Sequence, residues 1–336
     1  MSKEKRNVSK SYFIGIDGGG TKTFAVIADD KGNLLASSRR ESTNYLQVGI
    51  DKARENLIGM IQELCESQSV DMLTMDYSVI GLAGAGRADD REIITKALIE
   101  GGLRDPQFVV VPDYTPALAG GAFGEAGVII ISGTGSVVFG IDTQGNQQRA
   151  GGWGPLMSDE GSGYHFGKEA CTAVMRAFDG RGPATSLTDK LLKALNMDSP
   201  LSLVRWSLNE GTQKNNVAAL SPYVFESVNE GDVVAIKILE KEVDSIVEMV
   251  GAVAKAINQV DKPFQIVLAG GNFGHQPKFV NLLREKLKPV VPQAKADLPR
   301  FEPVLGAVIL ALKNQGISIT EEILANLESS WPKMNM

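Results

Sequence analysis

Residues 12–29 read YFIGIDGGGTKTFAVIAD, and the fold turns on them. Two apolar runs of strand length, 12–17 and 24–29, flank the turn Gly18-Gly19-Gly20-Thr21-Lys22-Thr23. Glycine takes positive φ at no steric cost, so this turn is expected to use that freedom. Asp30-Lys31-Gly32-Asn33 is a further turn, and 34–40 a third strand. The pattern returns in GVIIISGTGSVVFGID, residues 127–142, with Gly133-Thr134-Gly135-Ser136 as its turn. Thr134 follows Thr21 by 113 residues. Two copies of strand, Gly/Thr turn and strand predict a duplicated α/β fold.

Helices and strands alternate around these copies. Ile50, Ala53, Leu57, Ile61 and Leu64 keep helical spacing over about 50–66. A strand is predicted at 77–83, a helix at 89–100 stopped by Gly101-Gly102, and a strand at 108–111 with Asp113 just past its end. Helical spacing dominates 164–260, with one stripe from Ile236 to Ile257 behind Asp232 as N-cap. A buried strand at 264–269 ends in Gly270-Gly271-Asn272, and Pro303 opens a helix that stops near Gly316.

Composition narrows the function. The chain has 336 residues, 43% of them hydrophobic, enough for one large or two ordinary globular domains. Its formal net charge of −6 argues against a nucleic-acid binder. Two cysteines and two histidines leave little for a disulfide framework or a soft-metal site and fit a cytoplasmic protein. The first eleven residues read as a solvated tail with no signal peptide, and no apolar run reaches the ~20 residues of a membrane helix.

Four constellations carry candidate chemistry. After Asp17, the amides of Gly18, Gly19 and Gly20 with Thr21 and Lys22 can surround an anion; the bland alternative is a Gly-rich hairpin. Gly133, Thr134, Gly135 and Ser136 form the second such turn, and two equivalent turns are suited to clamp one polyphosphate. Neither is a Walker A loop or G-x-G-x-x-G. Asp113 stands where open α/β sheets place ligands and can take a hydroxyl proton, or simply cap the helix after it. Gly151-Gly152-Trp153-Gly154 followed by Ser158-Asp159-Glu160-Gly161 offers a flat apolar face and carboxylates for a sugar, unless the acids only face solvent. His165 reads as a packed residue and His275 as a loop residue. The remaining plausible metal is Mg²⁺, held by Asp17 through water.

Taken together these residues resemble the N-acetylglucosamine kinase family, grouped with the BadF/BadG/BcrA/BcrD-type ATPases in the actin/hexokinase/Hsp70 superfamily. The resemblance runs from Ile14 to about Leu312. It implies a duplicated RNase H-like (actin-like ATPase) fold, two lobes around a central ATP cleft. The expected division is 1–114 for the N-terminal lobe and 115–309 for the C-terminal lobe with a helical insertion, helices of 310–336 packing back on the first. Asp17 to Thr23 and Ile131 to Ser136 correspond to phosphate motifs, and Leu268-Ala269-Gly270-Gly271 to the adenosine motif. Asn44, Ser136, Gly152, Trp153, Gly154 and Asp159 fall at sugar-binding positions, and Asp113 at the catalytic aspartate.

The implied activity is transfer of the γ-phosphate of ATP, with Mg²⁺, to the 6-hydroxyl of N-acetylglucosamine or glucosamine. A small-molecule sugar is then the partner, without nucleic acid or membrane, and a homodimer is allowed. The rival classes are an ATPase activator of a reductase or dehydratase, against which the lack of a Cys-Gly-Gly pattern speaks, and a non-catalytic ATP or sugar sensor.

Overall fold

The computed structural model describes residues 10–274 and 276–334. The expected tail lies largely outside these residues, and His275 outside them altogether. The chain divides into two compact units. One takes the residues up to Glu125 together with those from Pro299 onward; the other is Ala126–Leu298.

The first unit holds strands β1 (Tyr12–Gly18), β2 (Lys22–Asp29), β3 (Leu34–Glu41), β4 (Tyr77–Leu82) and β5 (Phe108–Pro112). They lie in the order β3-β2-β1-β4-β5, with the first three antiparallel and β1, β4 and β5 parallel. The second unit holds β6 (Gly127–Ser132), β7 (Ser136–Ile141), β8 (Gln147–Ala150), β9 (Gln265–Ala269) and β10 (Lys295–Asp297). Its order, β8-β7-β6-β9-β10, has the same 3-2-1-4-5 topology and the same pairing senses. The fold is a duplicated RNase H-like α/β fold, and each unit packs its own apolar cores.

The duplication extends to the second hairpin turn of each unit. Asp29 Oδ1 accepts from the amides of Lys31 and Asn33, and Asp29 Oδ2 accepts from Asn33 Nδ2 at 2.9 Å. Asp142 does the same for Gln144, Asn146 and Asn146 Nδ2, the last at 2.8 Å. Gly32 and Gly145 share a left-handed φ of 80° and 86°. Asp142 follows Asp29 by the same 113 residues that separate the two Gly/Thr turns.

Two helices, Tyr114–Ala122 and Pro303–Asn314, pack together against the first sheet. Their approach admits no side chain: a Cβ on Gly306 would sit 2.0 Å from the Pro116 carbonyl oxygen, and one on Gly120 would sit 2.5 Å from that of Phe301. Gly15 of β1 receives Val304 and Val308, and Gly81 of β4 receives Pro116, equally closely. This contact explains why both helices belong wholly to the first unit, where the sequence placed 115–309 in the second.

Gly306→Ala is therefore expected to lower stability by about 3 kcal/mol or more, because only backbone can yield. Gly59, inside the helix Ile50–Ser67 with nothing within 4 Å of its Cβ position, gives the opposite sign. Gly59→Ala should stabilise by up to about 1 kcal/mol. Urea denaturation of the two variants checks both.

Candidate active site

Parallel strands end together in the first unit. Asp17 of β1 lies opposite Gly81 of β4, and Leu82 pairs with Pro112 of β5. Asp113 follows directly; its amide donates to the Leu82 carbonyl at 3.2 Å, and its carboxylate accepts from the Tyr114 amide at 3.0 Å. The capping role foreseen for Asp113 is present, and it leaves one carboxylate oxygen for other work. Open α/β sheets present ligand sites at such strand ends.

Asp17 feels the charge of two other acids. Burial pushes Asp17 up to about 6, with the charges of Asp113 and Glu302 adding to the rise and Lys22 opposing it. Burial also raises Asp113, outweighing the Tyr114 hydrogen bond. Desolvation thus wins over the helix N-terminus, which by itself favours the anion. Glu302, the N-cap residue of the helix Pro303–Asn314, is a participant the sequence did not single out.

Among the described residues no cluster of three or more His, Cys, Asp or Glu forms a metal cage. Asp17, on which the charges of Asp113 and Glu302 act, offers a hard oxygen that could meet a hydrated cation such as Mg²⁺ through water.

The first Gly/Thr turn is open where a ligand needs it, with Thr21 and Lys22 exposed. Its glycines do not use the expected backbone freedom: none of Gly18, Gly19 and Gly20 has positive φ. Gly18 is required instead by close approach, since its Cβ would lie 2.2 Å from Thr43 Oγ1 and 2.4 Å from Leu82. Thr23 Oγ1 shares a hydrogen bond with Thr43 Oγ1 at 2.9 Å, and Ser42 Oγ donates to the Gly19 carbonyl at 3.1 Å. The Ser42-Thr43-Asn44 loop therefore braces the turn. Asn44 Oδ1 caps the short helix Tyr45–Val48 by accepting from the Leu46 amide, and Gly84 gives it room.

In the second unit the equivalent turn is braced from three sides. Asn272 Nδ2 donates to Ser132 Oγ and to the Gly133 carbonyl, both at 3.1 Å, while Gly270 abuts the Ser132 backbone so closely that its Cβ would sit 2.3 Å from oxygen. Gly270 has φ of 100°, a conformation glycine accepts readily. The Gly163 amide donates to the Gly133 carbonyl at 2.7 Å, which brings the start of the helix Gly163–Phe178 to the turn. Thr134 and Gly271 remain exposed.

Asp159 is buried, not solvent-facing, and holds φ at 78°. Its Oδ1 accepts from the Ser136 amide at 3.3 Å, and Lys214 Nζ stands 2.7 Å from its Oδ2. Second turn and acidic loop thus share Ser136, and Lys214 is a further residue that no local motif announced. Trp153 is 57% exposed, with the Arg149 guanidinium 4.4 Å from its ring centroid. Arg149 also donates to the carbonyls of Gly151 and Gly152, fixing this loop.

Lys214→Ala removes the cation that pairs with the buried Asp159 carboxylate. A loss of about 2–3 kcal/mol is expected, below the full cost of breaking a buried pair because Lys214 keeps a third of its exposure. Urea denaturation measures it.

His165 is packed, as expected, with Nδ1 2.7 Å from Glu242. Burial pushes both thiols, Cys65 and Cys171, up to about 11, so neither offers a thiolate ligand.

Two RNase H-like units, each with a hydroxyl-bearing glycine turn at the ends of its parallel strands, define an actin-like ATPase fold. The BadF/BadG/BcrA/BcrD ATPase family model matches residues 14–311, and the chain belongs to that family. It is 32% identical to the N-acetyl-D-glucosamine kinase of Dictyostelium discoideum over 92% of this chain and 100% of the relative. It is 31% identical to the N-acetylmuramic acid/N-acetylglucosamine kinase of Clostridium acetobutylicum over 89% and 98% of the two chains. In fold it is similar to the crystal structure of a candidate N-acetylglucosamine kinase of Chromobacterium violaceum, with a TM-score of 0.65 at 24% identity over 90% of this chain and 99% of the other. No helix among the described residues is long and apolar enough to cross a membrane.

Proposed function

We propose that the protein is an ATP-dependent amino-sugar kinase that phosphorylates the 6-hydroxyl of N-acetylglucosamine or glucosamine. The observation that carries this reading is the Asp113 carboxylate, half-buried just past a strand end, with a pKa raised by desolvation. A base of that kind takes a hydroxyl proton more readily than an ordinary surface aspartate. Asp113 accepts the proton as the sugar oxygen bonds to the γ-phosphorus and the bond to ADP breaks. Gly18, Gly19, Gly20, Thr21 and Lys22, and in the other unit Gly133, Thr134 and Gly135, orient the phosphates. Gly270 and Gly271 receive the adenosine. Asn44, Ser136, Gly152, Trp153, Gly154 and Asp159 hold the sugar. Alignment and charge neutralisation supply most of the rate, because the phosphoryl transition state is loose. When bound, Mg²⁺ neutralises phosphate charge, and Asp17 would hold it through water.

The reading carries with it a cytoplasmic location, where ATP is the donor, and it allows a homodimer, which sedimentation would check. A coupled assay with MgATP against N-acetylglucosamine, glucosamine, N-acetylmuramate and glucose tests the function. Turnover on an amino sugar, above that on glucose, is expected. Binding of sugar and ATP without turnover would convert the reading to a sensor, and ATP hydrolysis indifferent to every sugar would remove it.

A further inference from the structure

Glu242 is a carboxylate with no exposure at all, on the long helix Val233–Ala256. It has two partners. Its Oε2 accepts from the Gly161 amide at 2.6 Å, and its Oε1 lies 2.7 Å from His165 Nδ1. Gly161 belongs to the acidic loop, two residues after Asp159, and is pressed so tightly on the long helix that a Cβ would sit 2.5 Å from Ile246. His165 is tied to the same loop through its backbone, since its amide donates to Ser162 Oγ, the N-cap of the helix Gly163–Phe178. A buried carboxylate with one amide donor is poorly compensated unless a cation or a further donor faces it. Here that group is the imidazole, so the seat of the loop depends on what His165 carries.

We propose that Glu242 and His165 are positioning residues that form a buried pair holding the 158–162 loop, and with it Asp159, in the geometry that receives the acceptor sugar. The proposal rests on the reading of Asp159 as a sugar ligand. Neither residue touches the sugar; both act through Gly161 and Ser162.

The pair is pH-sensitive by construction. The hydrogen bond to Glu242 raises His165 above its ordinary 6.5, against the effect of its own burial. Its contribution is complete below about 6.5 and is lost as pH rises through the raised value. Neighbouring charges do not supply an alternative partner. Lys168 and Glu169 on the histidine's helix act on it weakly and in opposite directions. Glu169 is engaged by Lys241, and Glu160 of the loop accepts from Ser158. Asp244 of the long helix pairs with Lys286 of the helix Pro277–Leu287, and Arg149 of β8 is held by loop carbonyls. The helix Ser221–Glu230 contributes Glu226 and Glu230, both paired with Lys190, the helix Lys214–Ala218 contributes Lys214, paired with Asp159, and β7 carries no charge.

Two measurements on the full chain test this. N-acetylglucosamine, which does not titrate in the range, is used as acceptor between pH 6 and pH 9. Its KM should rise as pH passes the raised His165 value while the KM for ATP stays constant. In Glu242→Gln, which keeps an acceptor for the Gly161 amide, and in His165→Asn, which cannot charge, the sugar KM should be roughly tenfold higher at pH 6 and flat with pH. Amide hydrogen exchange across 158–163, without ligand, should quicken in both variants relative to the wild type at each pH. A wild-type sugar KM and exchange pattern that ignore the histidine's titration overturn the proposal, and need no variant to fold. If no sugar is turned over but exchange follows the pair, the sugar reading fails and the loop seat stands. If turnover occurs and exchange and KM match the wild type in both variants, the pairing has no positioning role.

Discussion

Asp113→Asn should lower kcat for amino-sugar phosphorylation by about 10²–10⁴-fold, the range a positioned general base supplies. The substitution is nearly isosteric and keeps an oxygen to accept from the Tyr114 amide, so the cap and the fold survive. The two Gly/Thr turns are untouched, and ATP affinity by calorimetry should stay within about twofold. What is lost is only the site that accepts the hydroxyl proton. The wild-type pH profile carries a second signature. Because burial raises Asp113, the acid limb of kcat/KM should lie above the ordinary carboxylate range, with activity falling as pH drops through it. In Asp113→Asn the residual rate should lose the Asp113 part of that limb. Full turnover in Asp113→Asn would remove the base assignment.

Asp17→Asn has the opposite sign on stability. The carboxyl ionises near 3.8 in an unfolded chain and at about 6 in the folded one. The folded state therefore binds the proton more tightly, and stability falls as pH rises from about 4 to 6 on account of this group. Above pH 6 the charged form costs about 3 kcal/mol. In chelator-containing buffer the variant should be more stable than the wild type by up to that amount at pH 7–8. Below about pH 4, where the wild type is protonated, the gap should close. Thermal unfolding across pH measures this directly, with a rise of several degrees at neutral pH expected. Turnover should fall in the same variant. A residue whose charge destabilises the fold is retained for work done with that charge, and site and stability oppose one another here.

The two Gly/Thr turns and the topology were legible because strand length and turn chemistry are local properties. The 113-residue recurrence was visible for the same reason, though its second instance, Asp29-to-Asn33 against Asp142-to-Asn146, shows only once the side chains are seen capping their own loops. The cause assigned to the glycines was the part that sequence could not give. A run of three suggests positive φ, yet Gly18 is needed because Thr43 and Leu82 come within a bond length or two of where a Cβ would be. That demand comes from chain far away in sequence.

Glu302 and Lys214 carry no local signal for similar reasons, and Asn272 reads in the sequence only as the close of a strand. Each is an ordinary helix- or loop-edge residue, and only tertiary packing sets Glu302 beside Asp17, Lys214 beside Asp159 and Asn272 on the Ser132 turn. Glu242 went further against expectation. It sits within an otherwise apolar stripe, where a carboxylate reads as the solvent side of an amphipathic helix, and nothing in the spacing announces a partner 77 residues earlier.

The close fit of Gly306 against Pro116 also governs the order in which the polypeptide can mature on the ribosome. Phe13, Val26 and Val79 share a core with Val304, Leu305 and Val308, which are synthesised only after the whole of the second unit. The stretch Ala126–Leu298 is continuous and can consolidate as soon as it has emerged, whereas the first unit must wait for the residues from Pro299 onward with one sheet face bare. During that interval the nascent protein exposes a greasy surface of its own making, and truncations short of residue 303 should be found bound to chaperones or degraded.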